Sequence, residues 1–330
     1  MEKESSVPAG SASRRPFASF IVLGAAFLLV SFVSCSSPSF TDDYYNYTKT
    51  GGPLEAKYAA LGPFATSYAE YDADDKKIEK FEIWYPAELP ENSAKYPIVF
   101  FVNGTGMRAQ MIKPYFVHLA SWGFITVGNE DENTRSGAST IAGYKLLEKL
   151  NADSDGPFYG KIDLERVGIV GHSQGGVGAI NAATSPELVG VCKALCPNSA
   201  TSPYWGQDDV FGAEWRYDLT KTRAATFLTA GDGFFDAGRA ESIEPKKGQG
   251  ICPLWSLREN FAAVPDDCDK AIARKANVDH GSSFHEFDGY IVAWLLARLN
   301  DDEEAAAAFR GDDAELARNG LYKDVQISVK

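Results

Sequence analysis

Ser173 lies at the centre of Gly171-His172-Ser173-Gln174-Gly175, a G-x-S-x-G pentapeptide within the run RVGIVGHSQGG at 166–176. An apolar stretch leads into it, and small residues follow as far as Ala183. Strand, tight turn, then helix is the pattern that lifts a serine hydroxyl clear of a sheet edge. Glycines two places before and two after the serine let the backbone turn without Cβ clashes. A serine hydroxyl is a weak nucleophile at neutral pH and needs an adjacent base. That base in turn needs a carboxylate to fix its tautomer and stabilise the imidazolium.

The chain offers four histidines for the base. His118 falls inside a helical stretch and reads as a packed or surface residue. His172 adjoins the serine; its side chain is expected to point away from the hydroxyl and to shape the substrate pocket. His280 sits in the polar stretch NVDHGS at 277–282, just before a strongly apolar helix. That is where the chain order serine, acid, histidine puts the base. His285 is the alternative. The acid is sought in TFLTAGDGFFD at 226–236, which holds two carboxylates. Asp236 is preferred because it allows a longer turn after the strand. Asp232, inside Gly-Asp-Gly, is the alternative, and the unused one is a turn residue. Two convergent N–H groups must hold the oxyanion. One is assigned to Gln174, the other to Gly104 or Thr105 after the apolar run at 97–102. Losing one such donor costs about 3–4 kcal/mol in the barrier.

These groups must be positioned by strands read over 81–86, 97–102, 124–127, 166–170, 191–195 and 226–229. Helices are read over 115–122, 141–150 and 290–299, and the acidic, alanine-rich tail from Asp301 predicts one or two more. Continuous apolar strands alternating with helices imply an α/β fold, a mostly parallel central sheet with helices on both faces. Sites in such sheets lie at the carboxyl ends of strands, where Gly104-Thr105, Ser173, the two aspartates and His280 all fall. Residues 51–330 are expected to form one domain, with 237–270 as a lid or side wall.

The first 35 residues read as a targeting segment. Arg14-Arg15 precede an apolar run at 17–33, and Cys35 stands where a lipoprotein signal would be cut and acylated. A single membrane-anchoring helix is the competing reading. Residues 36–50 are expected to be a linker. The protein is therefore expected outside the cytoplasm: periplasmic or secreted, or tethered to the outer membrane or cell surface through Cys35. A net charge of −13 disfavours nucleic acid and anionic membrane surfaces as partners. The remaining cysteines are Cys192, Cys196, Cys252 and Cys268. The first two share a strand and lie roughly 13 Å apart at Cα, too far to bridge. A Cys252–Cys268 disulfide is the expectation, with four reduced thiols as the alternative. No metal or other cofactor is called for, because ligand-spaced His/Cys sets such as HExxH are absent.

The stretch PFYGKIDLERVGIVGHSQGG at 157–176 resembles the P-x-Y-G-K-x-D-x-x-R-x-G-x-x-G-x-S-x-G-G segment of polyester hydrolases. LASWGF at 119–124 and VAWL at 292–295 match as well. The chain from about Phe81 onward thus resembles α/β-hydrolases of the dienelactone hydrolase, cutinase and polyester hydrolase neighbourhood, with chlorophyllase-type relatives. The resemblance implies Ser173 as nucleophile, His280 as base, and Thr105 with Gln174 as oxyanion pair. It implies carboxylester hydrolysis, with a small-molecule or polymeric ester as partner. A peptidase or acyltransferase could run on the same three groups, and a non-catalytic binding protein could keep the fold. The chain departs from polyester hydrolases at Thr105, where they carry an aromatic, and at PNSA, 197–200, where they carry a tryptophan. Its acid loop is longer, and 237–268 is unlike theirs.

Overall fold

The run at 97–102 is apolar at every position, so it suits a strand covered on both faces. In the computed structural model, which describes residues 40–91 and 93–330, it forms all but the first residue of such a strand. The strands are β1 (Thr66–Asp72), β2 (Lys80–Pro86), β3 (Tyr96–Val102), β4 (Ile125–Asn129), β5 (Ile162–His172), β6 (Cys192–Asn198), β7 (Ala225–Gly231), β8 (Lys270–Lys275) and β9 (Tyr322–Ser328). They form one sheet in the order β1-β2-β4-β3-β5-β6-β7-β8-β9. Pairing from β4 through β8 is parallel; β1, β2 and β9 run antiparallel to their neighbours.

Alternation along β3 sends its side chains into two cores. Val99 and Phe101 pack on one face with Phe116 and Trp294. Ile98, Phe100 and Val102 pack on the other with Ile169 and Ile180. The first core is closed by α1 (Pro53–Ala59), α2 (Lys113–Ser121) and α8 (Asp288–Leu299). The second is closed by α3 (Ala138–Ala152), α4 (Gln174–Ala183) and α6 (Leu254–Ala263). Short helices complete the chain: α5 (Phe234–Ala237), α7 (His280–Glu286), α9 (Glu303–Ala306) and α10 (Glu315–Arg318). The α/β architecture is the one the sequence implies.

Several expectations change. β1, β8 and β9 carry no strong apolar alternation and were not expected. The tail does hold two short helices, but it ends as the edge strand β9. The polar stretch at 277–282, expected as loop, turns helical from His280 because Asp279 caps it, its carboxylate accepting from the His280 N–H at 2.8 Å. The Cys252–Cys268 bridge is not formed: all four described cysteines are free and buried. The two residues lie on either side of α6, and Cys268 Sγ instead faces the Thr222 carbonyl at 3.9 Å.

The targeting segment, with Cys35, lies outside the described residues. The described part of the expected linker is docked against the fold. Phe40 packs 5.1 Å from the Phe284 ring, and Tyr44 is buried. The Tyr44 hydroxyl donates to the Asp288 carboxylate and lies 3.4 Å from His118 Nδ1. His118 Nε2 donates to the Ala60 carbonyl at 2.9 Å, so His118 is the packed residue expected. Farther along, the buried Lys275 ammonium holds the Lys49 carbonyl at 2.7 Å and Glu55 at 3.2 Å. Tyr44→Phe removes the Asp288 donor and leaves that buried carboxylate underserved. It is expected to lower stability by about 1–3 kcal/mol, read as a shift of the urea midpoint.

Candidate active site

Ser173 joins β5 to α4 at φ 61° and ψ −126°, a backbone region that side chains avoid. Its surroundings leave it no alternative. A Cβ at Gly171 would meet the Gly175 carbonyl oxygen at 2.1 Å, and one at Gly175 would meet the Val102 oxygen at 2.0 Å. Only glycine lets the turn close this tightly against β3. The Ser173 N–H donates to the Asn198 carbonyl at 3.1 Å, fixing the turn to β6.

His280 stands at the first position of α7. Its Nε2 lies 2.9 Å from Ser173 Oγ, and its Nδ1 lies 2.8 Å from Asp236 Oδ1. An ionised carboxylate only accepts, so Nδ1 carries the proton and Nε2 accepts from the serine hydroxyl. Asp236 is fully buried. Its other oxygen accepts from Ser199 Oγ at 2.6 Å and the Gly231 N–H at 2.8 Å. Asp232 is elsewhere: its carboxylate takes the Asn277 N–H at 2.7 Å and pairs with Lys323 of β9. Burial would raise its pKa, but Lys323 and the Asn277 N–H outweigh that and hold it below the usual carboxylate range.

The family described as PETase, PET hydrolase-like, matches residues 42–209. This chain belongs to the PET hydrolase-like family. As a member, it is an ester-bond hydrolase. It is also 25% identical over 298 residues to a bis(hydroxyethyl) terephthalate hydrolase of Streptomyces coelicolor, covering 88% of this chain and 84% of that protein. The family match takes in Ser173 but ends before Asp236 and His280, so for those two the geometry is the independent observation.

In this PET hydrolase-like chain the expected oxyanion donors fall on two segments tied to one carbonyl. Glu132 O accepts from Gln174 Nε2 at 2.7 Å and from the Gly106 N–H at 3.3 Å. Gln174 begins α4, where the first backbone N–H groups have no helical partner. Gly104 lies against His172: a Cβ there would be 3.1 Å from its ring. Thr105 presents a buried hydroxyl without a partner among the described residues.

His172 is buried beside His280, about as deeply as Ser173 itself. Its ring packs 4.7 Å from His280 and 5.6 Å from Phe284, and Nδ1 lies 3.2 Å from Asn198 Oδ1. Burial, with His280 beside it, pushes its pKa well below the ordinary value. His285, the alternative base, is turned away. Five residues along a helix rotate a side chain by about 140° from His280. His285 instead packs against Phe40, Tyr44 and Phe284.

The residues that steady Asp236 and His280 were not evident from the sequence. Ser283 Oγ lies 2.8 Å from Ser199 Oγ and 2.9 Å from Asn198 Oδ1. Asp279 accepts from the Phe235, Asp236 and His280 N–H groups, joining the acid loop to the helix of the base. Only Asp279 had a readable signal, a capping residue before a helix. Among the described residues no cluster of three His, Cys, Asp or Glu could hold a metal ion.

His285 gives a pH signature. Burial, then the nearby Lys275, push its pKa down to about 3. The unfolded chain takes up a proton near pH 6.5 that the folded chain refuses until near pH 3. This contribution is therefore complete above pH 6.5 and is lost as pH falls toward 3. The slope is at most about 1.4 kcal/mol per pH unit. His285→Phe should make the stability profile between pH 7 and 4 shallower; an unchanged slope in urea melts would refute the assignment.

Proposed function

We propose that this ester-bond hydrolase is a serine carboxylester hydrolase working through Ser173, His280, Asp236 and a covalent acyl-enzyme. The observation that carries this is the unbroken chain from Ser173 Oγ to His280 Nε2, 2.9 Å, and from His280 Nδ1 to Asp236, 2.8 Å. Ser173 Oγ attacks the ester carbonyl carbon while its proton passes to Nε2. Asp236 stabilises the imidazolium so formed. The N–H groups of Gln174 and Thr105 are suited to hold the tetrahedral oxyanion. Collapse breaks the ester C–O bond, and His280 returns the proton to the departing alcohol. Water, deprotonated by His280, then attacks the acyl-enzyme and frees the acid and the serine. The relative named for bis(hydroxyethyl) terephthalate makes small diesters of aromatic diacids the first substrates to assay. The leader with its apolar run and Cys35 supports export and a lipid tether.

Ser173→Ala should lower kcat on p-nitrophenyl butyrate by at least about 10⁴-fold. Retained turnover would sink the mechanism. The acid is tested separately. Asp236→Asn should cost about 10³–10⁴ in kcat by spoiling the tautomer of His280, whereas Asp232→Asn should leave kcat near the parent value. The reverse ranking would reassign the acid.

A further inference from the structure

A cleft of about 910 Å³ opens beside the oxyanion segments, and charged side chains dominate its lining. Its lining includes Glu132, whose carbonyl joins Gln174 to Gly106, and stops short of Ser173 and His280. From the cleft, Arg135 Nη1 reaches Gln174 Oε1 at 3.4 Å. One side chain therefore separates this guanidinium from the backbone N–H assigned to the oxyanion.

Arg135 is seated firmly on one side and loosely on the other. Its guanidinium carbon lies 5.4 Å over the Trp215 ring, which fixes the plane of the fork. Its Nη2 and Nε both donate to a single oxygen of Glu214, at 2.5 and 3.2 Å. The second Glu214 oxygen takes no part in this pair, so it is not the bidentate pairing that a guanidinium and a carboxylate can make. The Glu214 side chain is 74% exposed, that of Arg135 only 23%. An ion pair so open to water on the acid side is readily exchanged. Arg108, the other arginine near Glu132, already holds Glu132 and Glu79 through separate nitrogens.

We propose that Arg135 is a specificity residue that recognises a free carboxylate on the substrate, which displaces Glu214 and takes both arms of the fork. The substrates favoured are then half-esters of dicarboxylic acids, with the scissile ester at Ser173 and the carboxylate in the charged cleft. This rests on Ser173 being the nucleophile.

The test compares monoethyl terephthalate with diethyl terephthalate and uses terephthalate as a competitive inhibitor. In the parent enzyme kcat/KM should favour the monoester, through KM, and terephthalate should inhibit. Arg135→Gln should lower the monoester-to-diester ratio about tenfold or more and weaken inhibition alike, the loss expected of a charge-assisted pair. Arg135→Lys, which keeps the charge but not the fork, should fall between. Glu214→Gln, which removes the competitor, should lower the monoester KM. An Arg135→Gln variant slowed equally on both esters, or one still inhibited as the parent is, would overturn the proposal. Calorimetry separates its failure from that of the serine mechanism. Ser173→Ala should bind terephthalate and Ser173→Ala/Arg135→Gln should not; equal binding by the two would overturn the carboxylate site whatever the nucleophile proves to be.

Discussion

The site depends on holding one residue where it would not rest by itself. Ser173 sits at φ 61°, a conformation costing on the order of 1–3 kcal/mol. β5 is buried in the sheet, α4 is pinned against β3 through Gly175, and the Ser173 N–H is bound to β6. None of the three can relax without breaking sheet or helix packing. The strain is thus carried by the whole central sheet. It leaves the hydroxyl off the strand end and the first amide of α4 without a helical acceptor, which together are what attack and oxyanion binding require.

A second constraint concerns charge. Asp236 is fully buried, and a carboxylate there is tolerable only if hydrogen-bonded. Ser199, Gly231 and His280 supply those bonds. Ser199 does so from a left-handed backbone, φ 44°, held in turn through Ser283. His172 lies ring to ring with His280, and a charge on it would oppose an imidazolium at His280. Burial, with His280 beside it, lowers the His172 pKa and so disfavours a second charge beside His280.

What was legible in the sequence follows from these constraints. β3 and β5 are covered on both faces, so their apolar runs announced them, and the glycines of the turn announced Ser173. β1 and β9 are edge strands with half-exposed faces, and polar residues interrupt their pattern. β8 is bounded by two buried lysines: Lys270 holds the nearby Val264 carbonyl, whereas Lys275 holds that of Lys49, distant in sequence. The choice between Asp232 and Asp236 could not be made locally, because Asp232 is claimed by Lys323 on β9. Cysteine spacing likewise said nothing of the helix between Cys252 and Cys268.

The charged cleft raises an electrostatic question, since the chain carries a net charge of −13 and an anionic ester would approach a like-charged protein. At physiological ionic strength charges are screened over about 8 Å, so distant carboxylates act weakly on a ligand already in the cleft, while the five carboxylates that line the cleft are offset there by two lysines and three arginines. Contact pairs are screened far less. The affinity of an anionic group is then decided by the few charges that touch it, and by how well each is already served. Arg108 is satisfied by two carboxylates, whereas the one carboxylate on Arg135 is a single oxygen of a solvent-exposed glutamate, its other partners being the neutral Asn133 and Gln174 side chains. An acidic surface and a local seat for a carboxylate are therefore compatible: the surface slows encounter without determining what is held once the ester lies beside Ser173.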